Sequence, residues 1–376
     1  MKKDYIKIIA SRISTQEDLL SLLNHIKLDE MRNLCLDEGK FYPFTMKQLK
    51  FYCNPSQPYR YRHFNIQKKS GGIRQISAPI NKTFTMILQS VNEMFKAIYT
   101  PSDYAMGFVE KRSVVTNANV HKTQNYIFNI DLKDFFSSIE QFQVKKRLQS
   151  DPFNFPITIA GILADLCTVR EKRKDSEGKE TYAYILPQGA PTSPIITNMI
   201  CDVLDRRLAG VAKRFGLNYT RYADDITFSS NHYVYAKNRE FRNELVRVIE
   251  GQGFRINENK TRLQKYGSRQ EVTGIIVSDK LNVTKKYVRE IRSLLYIWEK
   301  YGYTDAYKRF YPKYKAEKGH VKKGHPELLN VLEGKLLYMK MVKGDSDSVF
   351  VKLNSKLKKL CKRDNRIFTN SKIVAP

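Results

Sequence analysis

Two adjacent carboxylates, Asp224 and Asp225, follow Tyr222 and Ala223 in LNYTRYADDITFSS, a stretch whose alternation reads as two short strands about a tight turn. Like charges side by side at a turn repel, so the arrangement is costly unless a cation neutralises it, and oxygen-only ligands favour Mg²⁺. An ordinary polar turn would use the same residues, because Asp is a common turn former. A third carboxylate, Asp131, closes the apolar, β-rich run YIFNIDL at residues 126–132. A lone acid at the end of a buried strand adds nothing to packing. Reaching the same ions as Asp224 and Asp225 would account for it, as would capping of the next turn. Together the three carboxylates would make a two-metal site, one ion activating an attacking hydroxyl and the other steadying a leaving pyrophosphate. Between them, LPQGAPTSP at residues 186–194 offers Gln188 and Gly189, a backbone able to approach a flat ligand, then Ser193-Pro194 to open a helix. A Pro/Gly-rich loop without any ligand has the same composition.

Helices and strands interleaved around these residues must position them. Ser14 and Glu17 have capping-box spacing ahead of Leu19, Leu20, Leu22 and Leu23, which predicts a helix near the start of the chain. Residues 64–79 read as a hairpin about Gly71-Gly72 whose tip carries Lys68, Lys69 and Arg74. FPITIAGILADLC predicts a helix with Pro156 in its first turn. The charged stretch after it predicts a hairpin with Gly178 near its turn. Helices follow at Ile195–Val203 and over REFRNELVRVIEGQG, where Phe241, Leu245, Val248 and Ile249 share one face. Without regular βαβ spacing, α+β is preferred to a doubly wound sheet. Beyond residue 280, Thr284 caps a helix whose Val288, Ile291, Leu295 and Trp298 form one face, while Lys285, Arg289, Arg292 and Tyr296 form another. A further helix runs from Pro326 to Gly344.

The chain's 376 residues contain 66 Lys+Arg against 38 Asp+Glu, a net charge of +28. With 23 Tyr and 20 Phe it is too rich in core formers to be a disordered basic tail. A charge surplus of this size points to an extended polyanion as partner, although solvated surface lysines would give the same count. Residues 281–376 hold 23 Lys+Arg and 9 Asp+Glu, half of the net charge in a quarter of the length. Five scattered cysteines with no CxxC spacing exclude a zinc or disulfide framework. The apolar runs are too short for a signal peptide or a membrane span, so no membrane is expected and the cytoplasm is the expected compartment.

The order and spacing of these motifs resemble those of a reverse transcriptase. NIDLKDFF resembles the family's first catalytic motif, LPQGAPTSP its nucleotide-template motif and YADD its second catalytic motif. GFRINENKT and EVTG resemble the segments that follow. Within the family the chain is most similar to the bacterial retron type, since NANVH (residues 117–121) matches an NAxxH signature and Val272-Thr273-Gly274 a VTG signature. The resemblance implies an α+β right-hand polymerase fold, with fingers and palm over residues 1–280, a helical part over about 1–35, and a basic, RNA-binding helical thumb over 281–376.

It also implies roles. Asp131, Asp224 and Asp225 match the metal-binding aspartates, with the Leu132 carbonyl as a further ligand for two Mg²⁺ ions, or Mn²⁺ in their place. Phe136 matches the aromatic gate that rejects a ribose 2′-hydroxyl, unless it packs in the core and Phe135 does not. Arg74, with Lys68 or Lys69, matches the cations that hold the triphosphate of a dNTP, Gln188 resembles the residue that lines the incoming nucleotide, and Lys260 stands where a lysine protonates departing pyrophosphate, with a surface lysine an equal alternative. Asn117, His121, Lys285, Arg289, Arg292 and Tyr296 are RNA-contact candidates, with burial of His121 an equal alternative. The implied partners are a cognate structured non-coding RNA, its branched RNA–DNA product (msDNA) primed from an RNA 2′-hydroxyl, and an effector protein in antiphage defence. A group II intron-like or abortive-infection reverse transcriptase, and a non-catalytic RNA-binding scaffold, are the competing readings.

Overall fold

The computed structural model describes residues 3–57, 59–67, 71–174, 178–317 and 326–366. In chain order the elements are α1 (Lys3–Ala10), α2 (Gln16–Asn33), α3 (Met46–Tyr52), β1 (Tyr61–Gln67), β2 (Ile73–Pro79), α4 (Lys82–Ile98), α5 (Val114–Val120), β3 (Tyr126–Lys133), α6 (Gln141–Leu148), α7 (Ile157–Cys167), β4 (Val169–Lys174), β5 (Glu180–Ile185) and α8 (Ser193–Arg214). They continue with β6 (Asn218–Tyr222), β7 (Asp225–Ser230), α9 (Glu240–Glu250), β8 (Arg255–Ile256), β9 (Arg262–Lys265), β10 (Glu271–Val272), β11 (Ile275–Ile276), α10 (Lys285–Tyr301), α11 (Tyr303–Glu317), α12 (Leu328–Lys343) and α13 (Ser348–Arg363). This is the α+β mixture expected. Among the described residues no helix is long and apolar enough to cross a membrane.

The chain forms two compact units. The first comprises residues 1–112, 128–228 and 233–262. Its sheet follows the path β6-β7-β3-β8, with β8 antiparallel to β3 in the register Leu132 to Ile256. The 22-residue helix α8 packs on α4, α6, α9 and β6, because Ile196, Met199, Leu204 and Leu208 recur on one face and are fully buried. Helix α4 buries Phe84, Ile87, Val91 and Phe95 in the same way, against α1 and α2. Hairpin β1-β2 pairs Tyr61 with Pro79 through Gln67 with Ile73. Hairpin β4-β5 turns near Gly178, which adopts φ +82° as expected of a glycine there.

Two local expectations are corrected. The capping box of α2 is Thr15 with Asp18, not Ser14 with Glu17. The Asp18 carboxylate accepts from the backbone N–H of Thr15 at 2.9 Å and of Ser14 at 3.1 Å, bonds that lower its pKa to about 2. Pro156 is the N-cap of α7 rather than part of its first turn, since its ψ of 150° is extended.

The second unit comprises residues 113–127, 229–232 and 263–376. One hydrophobic cluster explains why it reaches back before residue 280. Ala118, Ile127, Val272 and Ile275 are buried together with Ile291, Leu295 and Trp298 of α10, Leu332 and Leu336 of α12, and Leu357 of α13. As the spacing predicts, the Thr284 hydroxyl caps α10 by accepting from the Tyr287 N–H at 3.1 Å, and Gly344 ends α12 at φ +86°.

Candidate active site

Asp131 lies near the end of β3 and is 7% exposed. The segment following β8 wraps this strand end. Asn257 donates from Nδ2 to Asp131 Oδ1 at 2.9 Å and from its backbone N–H to the Asp131 carbonyl at 2.8 Å. Lys260 Nζ donates to Asp131 Oδ2 at 2.7 Å. Both carboxylate oxygens are therefore held, and the bond to Asp131 raises the pKa of Lys260.

Asp224 stands on the turn from β6 to β7, and Asp225 opens β7. Ala223 adopts φ +57°, a left-handed conformation that costs a side-chain-bearing residue about 1–2 kcal/mol and persists only where neighbours hold it. On one side the Leu132 N–H donates to the Asp224 carbonyl at 3.0 Å, tying the turn to β3 beside Asp131. On another, the backbone of Gly107 approaches so closely that a Cβ there would meet Ala223 N at 2.7 Å. Beneath lies Arg221, fully buried. It pairs with the fully buried Asp205 through two contacts of 2.7 Å and also reaches Asn198 Oδ1 at 3.1 Å and the Ala223 carbonyl at 3.3 Å. Tyr219 donates to Asp205 at 2.8 Å, and Asn198 Nδ2 to the Gly107 carbonyl at 3.0 Å. Removing one member of a buried ion pair typically costs about 3–5 kcal/mol, since the other is left charged and alone.

The carboxylates on the turn are electrostatically unsettled. Burial, and after it the proximity of Asp131, raises the pKa of Asp224; burial and then the charges of Asp224 and Asp131 push Asp225 up to about 6. Lys260 counteracts both shifts, and Arg74 that of Asp224. An anionic, all-oxygen cluster that repels itself is suited to a hard divalent cation. Among the described residues no group of three or more acidic, histidine or cysteine side chains is already close enough together to hold a metal ion.

Residues 66–288 match the family described as reverse transcriptase (RNA-dependent DNA polymerase). The chain belongs to the reverse transcriptase family. Its similarity runs to the retron type. It is 36% identical over 245 residues to the retron Mx65 reverse transcriptase of Myxococcus xanthus, covering 63% of this chain and 56% of that protein. It is 33% identical over 259 residues to the retron Mx162 enzyme of the same organism, covering 63% and 52%. To the retron Ec86 reverse transcriptase of Escherichia coli it is 31% identical over 281 residues, covering 73% and 80%. The chain thus spans just over half the length of the two Myxococcus relatives. Membership of the family carries the right-hand polymerase fold with it.

Other residues singled out in the sequence are placed as follows. Phe136 is half-buried, with the ring of Phe135 edge-on at 5.6 Å and that of Phe108 tilted at 6.4 Å, whereas Phe135 is buried in the core against Phe254. Gln188 is half-buried and its carbonyl accepts from the Ser77 N–H at 2.9 Å, which fastens hairpin β1-β2 to the Pro/Gly loop. Gly189 is required there: it adopts φ +131°, and a Cβ would meet Ile76 Cγ2 and the Ser77 carbonyl at 3.0 Å. Arg74 is exposed on β2 and acts electrostatically on Asp224. Lys68 and Lys69 lie outside the described residues. In the second unit Lys285, Arg289, Arg292 and Tyr296 are all exposed on α10.

Asn117 and His121 are corrected as RNA contacts. They are 1% and 0% exposed, so neither side chain reaches the surface. Asn117 Nδ2 is 3.4 Å from Thr273 Oγ1, and His121 Nδ1 is 2.8 Å from Ser229 Oγ. The NAxxH and VTG signatures therefore meet each other inside one unit. Burial lowers the pKa of His121 to about 3, keeping it neutral. A group that protonates near 6.5 when unfolded but near 3 when folded withdraws stability as pH falls through that window. We expect about 2 kcal/mol of its contribution to be lost between pH 7 and pH 5. Denaturant unfolding at the two pH values checks this, with His121→Gln expected to show a correspondingly shallower pH dependence.

Sequence reasoning missed Asn257, Asn198 and the Arg221–Asp205 pair. The last carried a signal: Asp205 falls on the same helical stripe as Cys201, Leu204 and Leu208, where an acid needs a buried partner.

Proposed function

We propose that the protein is a magnesium-dependent, RNA-directed DNA polymerase of a retron. It copies a cognate structured RNA from a primer 2′-hydroxyl to give branched RNA–DNA, and it works in the cytoplasm with an effector protein in antiphage defence. The observation that carries the reading is that the charge of Asp131, itself bonded to Lys260, acts on both Asp224 and Asp225 in a chain of this family.

Asp131, Asp224, Asp225 and the Leu132 carbonyl are the ligands we assign to two Mg²⁺ ions. When bound, these ions supply charge neutralisation at the phosphates and a more acidic attacking hydroxyl. The chain's own residues do the rest, because phosphoryl transfer is governed by positioning and electrostatics. Asn257 fixes the rotamer of Asp131 through Oδ1. Lys260 holds a proton on Nζ, kept there by Asp131, and delivers it to the departing pyrophosphate. Arg74 contributes positive charge toward the triphosphate, Gln188 borders the nucleotide, and Phe136 blocks a 2′-hydroxyl. On α10, the exposed cations contact phosphates and Tyr296, 50% exposed, stacks on bases.

Primer extension on an RNA template with dNTPs and Mg²⁺, together with sequencing of the nucleic acid that copurifies from the native locus, tests the reading. Branched RNA–DNA supports the retron function; bound RNA without synthesis favours the scaffold. For α10, Arg289→Ala with Arg292→Ala is expected to weaken RNA binding and to flatten the log-affinity against log-salt slope by about 0.7–0.9 per contact. An unchanged slope in a gel-shift series would place the RNA elsewhere.

A further inference from the structure

Beneath the carboxylate turn lies a polar network buried from solvent. Arg221 on β6 and Asp205 on α8 are both fully buried. What the pair does is local. All three guanidinium nitrogens are engaged: Nε and Nη2 on Asp205, Nη2 also on Asn198, and Nη1 on the Ala223 carbonyl. Asn198 passes the restraint on to the carbonyl of Gly107, whose backbone abuts Ala223 N. The backbone of Arg221 is held as well, its N–H donating to the Tyr104 carbonyl at 2.8 Å and its carbonyl accepting from the Met106 N–H at 2.7 Å. Two of these contacts, the Arg221 Nη1 bond and the Gly107 backbone, touch the left-handed residue that precedes Asp224, and the others hold Arg221 and Gly107 in place.

We propose that Arg221, Asp205 and Asn198 are positioning residues that lock the left-handed Ala223 turn, and so set the separation of Asp224 and Asp225 from Asp131 that divalent ions require. The proposal rests on the polymerase reading of the site. Its physical basis is that carboxylates which repel one another drift apart unless their backbone is fixed. A turn held in a sparsely populated conformation relaxes as soon as its restraints go. Supporting groups of this kind typically alter ion affinity or activity by about 10–100-fold when removed.

The test separates positioning from stability. Replacing a buried ion pair by apolar residues of similar volume often leaves a fold intact, so the informative variant is Arg221→Met/Asp205→Leu/Tyr219→Phe, which leaves no charge or hydroxyl orphaned. Mn²⁺ binding to the protein alone is read by electron paramagnetic resonance. It is expected to weaken at least about tenfold at an unchanged melting temperature, with the Mg²⁺ requirement of DNA synthesis moving in parallel. Arg221→Lys, which keeps the charge and gives up the fork, is expected to shift ion affinity in the same direction. Asn198→Ala leaves the ion pair in place and carries the same test should the triple variant not fold. A folded triple variant or Asn198→Ala protein with wild-type Mn²⁺ affinity overturns the proposal. If the wild type makes no DNA yet its variants still lose Mn²⁺ affinity, the positioning role stands and the polymerase reading falls.

Discussion

Asp224→Asn is expected to remove Mg²⁺-dependent DNA synthesis, by on the order of a thousandfold or more, while leaving the protein folded and bound to RNA. The first half follows from the loss of an anionic oxygen ligand where negative charge must be neutralised. The second half follows from the electrostatics of the ion-free site. Burial and the nearby Asp131 raise the pKa of Asp224, and Asp225 rises to about 6. A carboxylate whose folded pKa exceeds its unfolded value stabilises the fold only when protonated. That contribution is complete below about 4 and is lost as pH rises through the folded value. At neutral pH the ionised group is therefore a cost, and the amide relieves it. Without Mg²⁺ the variant should melt at or above the wild-type temperature, and in a gel shift it should bind RNA as the wild type does. Undiminished synthesis would remove Asp224 from the ligand set, and a large fall in melting temperature would make it a structural residue.

Phe136→Ala is expected to let ribonucleotides in. The side chain stands half-buried between Phe135 and Phe108, at ring distances of 5.6 and 6.4 Å, so it cannot swing freely away from a sugar placed against it. Steric rejection of one hydroxyl by a packed wall is worth about 1–3 kcal/mol, so preference for dNTP over NTP should fall roughly 10–200-fold. The value of kcat/KM for dNTPs should change much less. Phe135→Leu provides the contrast: Phe135 is 4% exposed and packs on Phe254, so its loss should lower stability and leave sugar preference alone. Single-nucleotide incorporation with paired dNTP and NTP substrates measures both. An unaltered sugar preference in Phe136→Ala would return the residue to the core.

Both predictions concern residues visible in the sequence because their types conflict with their surroundings. Asp131 interrupts an apolar strand, two acids crowd one turn, and an aromatic follows at a fixed interval. The basic face of α10 was legible for the opposite reason, since helical periodicity separates Ile291, Leu295 and Trp298 from Arg289, Arg292 and Tyr296 without reference to any other element. Asn117 and His121 look like surface polar residues on a short helix. They are buried, with Thr273 and Ser229, distant in sequence, as partners of Asn117 Nδ2 and His121 Nδ1.

The sequence by itself determined the α+β class, the three carboxylates, the glycine needed in the Pro/Gly loop and the concentration of positive charge after residue 280, all of which depend on residue type and short-range spacing. Only the tertiary structure decided that Asn257 and Lys260 clamp Asp131, that residues 113–127 and 263–280 belong with the C-terminal helices, and that Arg221 and Asp205 lie beneath the turn. These depend on which side chains meet across long stretches of chain. A buried charge acquires its meaning only from the partner that makes its burial affordable.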